Sequence, residues 1–190
     1  MESTVVILVR EAERLVRSFR NRYDPSAKAG MPAHITLLYP FKSPDEIDGL
    51  VLDTLSHCFS GFQPFKFSLT KINRFPGETL YLVPEPEDPF RALTLGIWRC
   101  YPETPPYRGR YSTIIPHLTV ADRMDEQRLA EVARSRKPPD PRSCCRGGVD
   151  GFEIRPLGDQ HDVQAGPGEL GRERPHLQAS PDIVRVALSG

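Results

Sequence analysis

The chain has 190 residues, and its 25 basic and 25 acidic side chains give a formal net charge of zero. That length suits one domain or two small lobes sharing a core, and the charge balance leaves no whole-molecule field to draw in a long nucleic-acid duplex. No apolar run approaches the roughly 18 residues of a membrane span, and Met1-Glu2-Ser3-Thr4 has no basic stretch before its short apolar segment, so a cytoplasmic monomer without a membrane partner is expected.

Thr4 to Val9 is a β-branched run, and in Glu11 to Arg22 the apolar residues Ala12, Leu15, Val16 and Phe19 recur at helical spacing. A strand followed by an amphipathic helix is predicted, with Arg10, Arg14 and Arg17 on a solvated helical face. Asp24 to Met31 is a loop, and His34 to Phe41 a short apolar strand. Ser43-Pro44-Asp45-Glu46 predicts a capped helix start. That helix should reach Phe59 with Ile47, Leu50, Val51, Leu55 and Cys58 inward.

Phe65 to Ile72 and Thr79 to Val83 read as strands joined by a turn at Phe75-Pro76-Gly77-Glu78. Asp88-Pro89 opens a helix through Cys100 carrying Phe90, Leu93, Ile97 and Trp98. The Pro- and Tyr-rich loop Pro102 to Tyr111 leads to a second strand, Ile114 to Ala121, and Asp125 to Arg136 forms a last helix. From about Ser135 to Pro181 proline and glycine make up roughly 30% of the residues. Such a composition sustains no period and is expected to be irregular, with Val149 to Leu157 and Asp182 to Leu188 the strand-like exceptions. A core of residues 1–136 and a Pro/Gly/Arg-rich segment 137–190 are therefore expected. Cys58, Cys100, Cys144 and Cys145 have no CxxC spacing and are expected to be reduced.

One tripeptide pattern occurs twice, as His34-Ile35-Thr36 and His117-Leu118-Thr119, 83 residues apart. Strand side chains alternate faces, so each histidine shares a face with its own threonine. Loop, His strand and helix recur around both copies, which suits two related, facing lobes in an α+β fold of antiparallel sheets with outer helices.

With these motifs the chain resembles the 2H phosphoesterase superfamily, in its bacterial 2′-5′ RNA ligase-like branch. The resemblance rests on His34-Ile-Thr-Leu-Leu-Tyr-Pro-Phe, on Leu80-Tyr-Leu-Val-Pro-Glu-Pro, and on Pro105-Pro-Tyr-Arg-Gly ahead of Pro116-His-Leu-Thr-Val-Ala. It covers about residues 4 to 136. It implies a bilobal protein whose two His-x-Thr strands line a central cleft, acting without metal or other cofactor on cyclic phosphates or 2′-5′ linkages. It also implies that His34, Thr36, His117 and Thr119 form the active site. The family's two further apolar strands of the second lobe would fall in the Pro/Gly/Arg-rich region.

Two histidines can divide acid and base roles near neutral pH, and two hydroxyls can donate to non-bridging phosphate oxygens. The motif symmetry leaves open which imidazole is acid and which is base. Arg108 and Arg110, beside Tyr107 and Tyr111, are candidates to neutralise phosphate or stack on a base. Tyr39, Phe75 and Tyr81 could offer rings to a base, or serve as core. The expected partner is a short RNA end or a nucleotide-like phosphodiester. Competing accounts are a metal site of His34, His117 and Asp122, a non-catalytic nucleotide or RNA-end binder of the same fold, and a scaffold without phosphate affinity. His57, His161 and His176 are expected at the surface.

Overall fold

The computed structural model describes residues 2–76 and 79–122, together with the backbone of three later strands. The elements run β1 (Glu2–Leu8), α1 (Arg10–Tyr23), α2 (Pro25–Lys28), β2 (His34–Leu38), α3 (Gly49–Ser60), β3 (Phe65–Phe75), β4 (Thr79–Glu85), α4 (Asp88–Cys100) and β5 (Leu118–Ala121). Strands β6 (Arg146–Val149), β7 (Arg155–Pro156) and β8 (Val184–Ser189) follow. The fold is α+β, and its strands hydrogen-bond in the order β6-β3-β4-β5-β2-β1-β8-β7. All pairs are antiparallel except β7 with β8.

The helices collect on one face of this sheet because the apolar residues do. Val5, Ile7, Ile35, Leu82 and Leu118 from the strands join Ala12, Val16, Leu55, Phe59, Phe90, Leu93 and Ile97 from the helices in one buried cluster. Phe90 is its aromatic centre, meeting Phe65 and Phe67 edge-to-face at ring-centroid distances of 5.1 and 5.0 Å, a geometry favoured by the ring quadrupole. The two long helices cross over: α1, which follows β1, packs on β5, while α4, which follows β4, packs on β2.

The helix expected from Pro44 to Phe59 is broken. Pro44–Glu46 form one 3₁₀ turn, with Glu46 bonding back to the amide of Ser43. Asp48 then caps a fresh start, accepting from the Val51 amide at 2.9 Å. The restart turns Leu50 outward, 74% exposed, while Leu55 enters the core as expected and Phe59 joins it. Trp98 on α4 also reaches the surface, with 37% of it exposed. Cys58 and Cys100, expected as free thiols, are joined in a disulfide because α3 and α4 pack side by side. The helix expected over 125–136 lies outside the described residues, as do His161, His176, Cys144 and Cys145. Of the two strand-like segments expected beyond residue 137, β8 matches the second and β7 lies within the first. No helix among the described residues is long and apolar enough to cross a membrane.

Candidate active site

The two His-x-Thr segments are neighbours at the centre of the sheet. Strand β2 meets β5 with Ile35 paired to Leu118. Extending that antiparallel register by one residue each way sets His34 opposite Thr119 and Thr36 opposite His117. Ile35 and Leu118 are fully buried under the helices, so the histidines and threonines occupy the opposite face. Each imidazole thus has one threonine along its strand and another across it.

Both strands carry a bulge at the equivalent place. Val5 pairs with Leu38 and Val6 with Thr36, leaving Leu37 extra in β2; Leu80 pairs with Ala121 and Tyr81 with Thr119, leaving Val120 extra in β5. The bulge returns Leu38 and Ala121 to the core face, where both are buried. The repeat therefore extends from sequence to backbone irregularity.

The histidines are held in the same way. Nδ1 of His34 lies 2.7 Å from the Pro32 carbonyl oxygen, and Nδ1 of His117 lies 2.7 Å from that of Ile115. A carbonyl can only accept, so both Nδ1 atoms carry the proton and both Nε2 atoms are left to take or give one. Burial disfavours charge on either ring. For His34 it outweighs the Pro32 bond and pushes the pKa down to about 4, with Arg20 pulling it lower and Asp24 raising it. His117 is also pushed down by burial, opposed by the Ile115 carbonyl and the charge of Asp122. His34 also feels the charge of His117.

Apolar and aromatic groups line the same face. Val6 and Leu8 pair with Thr36 and His34 from β1, and Met31 packs against them. On the other side Phe75 stacks on Tyr81 with ring centroids 4.3 Å apart. Both rings meet His117 edge-on, at 5.0 and 5.3 Å.

Tyr39 and Arg108 converge on Glu2. The Tyr39 hydroxyl donates to Glu2 at 2.9 Å, and the Arg108 guanidinium pairs with the same carboxylate. The Tyr107 amide donates to the Tyr39 carbonyl, and Tyr107, Arg108 and Gly109 are all left-handed, with φ of 51°, 57° and 71°. Burial pushes the Tyr107 hydroxyl up to about 12. Arg110 lies against the Tyr111 ring instead. The structure thus brings together six of the expected site residues, His34, Thr36, His117, Thr119, Phe75 and Tyr81, and gathers Tyr39 and Arg108 separately around Glu2. Asp122, weighed as a metal ligand, accepts from the Thr79 hydroxyl at 2.7 Å. No group of three or more His, Cys, Asp or Glu side chains among the described residues could hold a metal ion.

Sequence reasoning missed the polar support under β2. Arg20, almost wholly buried, bonds Asp24 at 2.9 Å, and Glu13 accepts from the Ala33 amide at 2.6 Å. An arginine placed among Ala12, Val16 and Phe19 on the apolar face of α1, with an acid four residues on, was the available signal.

Residues 8–147 match the family model described as the 2′-5′ RNA ligase superfamily. A protein named as a phosphoesterase from Bacillus pumilus is 28% identical over 131 residues, covering 67% of this chain and 73% of the relative. A second, from Bacillus licheniformis, is 29% identical over 131 residues, covering 67% and 74%. Among solved structures, Escherichia coli LigT complexed with 3′-AMP shares the fold with a TM-score of 0.51 at 17% identity, over 76% of this chain and 82% of that one.

Proposed function

The chain belongs to the 2′-5′ RNA ligase superfamily, and from that premise we propose that it is a metal-independent phosphodiesterase acting on RNA 2′,3′-cyclic phosphate ends or related cyclic and 2′-5′ phosphodiesters. The observation that carries this reading is the Ile35–Leu118 register with its two matched Nδ1 bonds. It supports two Nε2 atoms and two hydroxyls directed to one face, in a cleft between two related lobes.

One imidazole takes a proton from the attacking water or hydroxyl, and the other protonates the leaving 2′ or 3′ oxygen. Reversal of the two roles is 2′-5′ ligation. Thr36 and Thr119 donate to the non-bridging oxygens and stabilise the charge that grows there. Phe75, backed by the buried Tyr81, offers a base an aromatic surface beside His117, consistent with LigT having been solved with 3′-AMP. Arg108 and Tyr39 reach substrate by exchanging Glu2 for a phosphate, a trade of one anion for another.

The test is hydrolysis of a panel of RNA 2′,3′-cyclic phosphate ends, 2′-5′ oligonucleotides, ADP-ribose cyclic phosphate and small phosphodiesters, with chelator present. His34→Ala and His117→Ala should each cut turnover by about two to four decades with the fold intact. Wild-type turnover in both variants would end the assignment. Binding without turnover by the unaltered protein would make it a nucleotide or RNA-end binder.

A further inference from the structure

We propose that Glu13 is a positioning residue for His34, acting through the one peptide group that joins Pro32 to Ala33. The N–H of that peptide donates to Glu13 Oε2 at 2.6 Å, while its C=O accepts from His34 Nδ1–H at 2.7 Å. An amide whose N–H is bound to an anion is polarised, and its oxygen becomes a stronger acceptor. The carboxylate therefore reaches the imidazole in relay, with an amide interposed where a directly bonded carboxylate–histidine pair has none. It fixes the proton on Nδ1 and stabilises the cation that forms when Nε2 takes up a second proton.

The device is built, and it is built once. Glu13 is held on α1 by Arg17, whose Nε lies 3.1 Å from Oε1. The carbonyl of Ala33, in the next peptide group, accepts from the Val9 amide at 2.8 Å, which anchors the chain on the far side of the Ala33 Cα. At the second motif the acceptor belongs to the Ile115–Pro116 peptide, and proline has no N–H to offer a carboxylate. Two histidines that match in motif, bulge and Nδ1 bond are thereby made inequivalent.

Other charges act on His34 as well. Arg20 and Asp24, near the C-terminal end of α1, and His117, beside β5, each act on it through their charge. Arg20 Nη1 has no hydrogen-bond partner among the described residues and lies 3.7 Å from Glu13 Oε2. The experiment must therefore separate relay through the peptide from direct Coulomb effects.

A consequence for catalysis rests on the reading of His34 as an active-site residue; the relay itself does not. The full-length protein, Glu13→Gln and Arg17→Gln are compared by NMR at neutral pH, following the Ala33 amide proton and the ring nitrogens of both histidines, alongside kcat and KM. Glu13→Gln should move the Ala33 amide and the His34 Nδ1 proton upfield, leave His117 in place, and lower kcat about tenfold with little change in KM. Arg17→Gln, which frees the carboxylate of a competing cation, should move both signals the other way. Unchanged Ala33 and His34 signals in folded Glu13→Gln, or equal movement of His117, would overturn the proposal. Should Glu13→Gln not fold, Glu13→Asp is measured in the same way: the shortened carboxylate should reproduce the upfield shifts, and unaltered signals would again overturn it. NMR shifts as expected in a protein without turnover would retain the relay and remove the catalytic reading.

Discussion

Burial makes a charged ring unfavourable at both His34 and His117, and this has two measurable results. With one pKa pushed down to about 4 and the other below its ordinary value, a reaction needing one neutral and one protonated histidine has a bell-shaped profile. Its maximum should fall on the acidic side of pH 6.5, the ordinary histidine value, as read from kcat/KM against pH. Stability follows the same sign. The unfolded chain binds a proton at His34 near 6.5 and the folded chain only near 4, so stability rises as pH goes from 4 to 6.5. Replacing His34 with Gln should flatten that slope, by up to about 3 kcal/mol across the window, in urea titrations at several pH values. The threonines can be tested on their own: under the proposed mechanism, in which each donates to a phosphate oxygen, Thr36→Val or Thr119→Val should lower kcat about a hundredfold.

At the scale of elements, the bulges at Leu37 and Val120 return the chain to the core immediately after each His-x-Thr. Without them Leu38 and Ala121 would face the open side, since a one-residue slip reverses every later side chain. The helices hold this arrangement from behind. Phe90 on α4 is 1% exposed and bridges Phe65 and Phe67 of β3, so Phe90→Ala should cost about 3–5 kcal/mol in denaturant unfolding. The break before α3 shows local chemistry overriding a continuous pattern. Pro44 and Asp45 make a valid start, but Asp48 caps a better one.

Across the whole molecule, the halves β3-β4-β5 and β2-β1-β8 are sewn at a thin seam, the single Ile35–Leu118 pair among the described strands. The crossed helices reinforce it, α1 lying on β5 and α4 on β2. A strand late in the chain completes one side: β8 pairs with β1 from Glu2↔Ser189 to Ile7↔Val184. Truncation after residue 183 would turn β1 into an unpaired edge. The shortened protein should melt at lower temperature and associate on size exclusion, while the full chain does neither under the same conditions.

Local chemistry in the sequence determined most of what is local. Alternation and caps in the chain were enough to place β1, α1, β2, β3, β4, α4 and β5 within a few residues, and the repeated His-x-Thr identified two histidines and two threonines whose faces had to agree. Only tertiary structure decided the rest, because each remaining feature depends on residues far apart in the chain. The register of β2 on β5, the bulges at Leu37 and Val120, the disulfide of Cys58 with Cys100, and the capture of Arg108 and Tyr39 by Glu2 all join distant segments. So does the contact of Glu13 with the amide of Ala33, which no periodicity in α1 could announce.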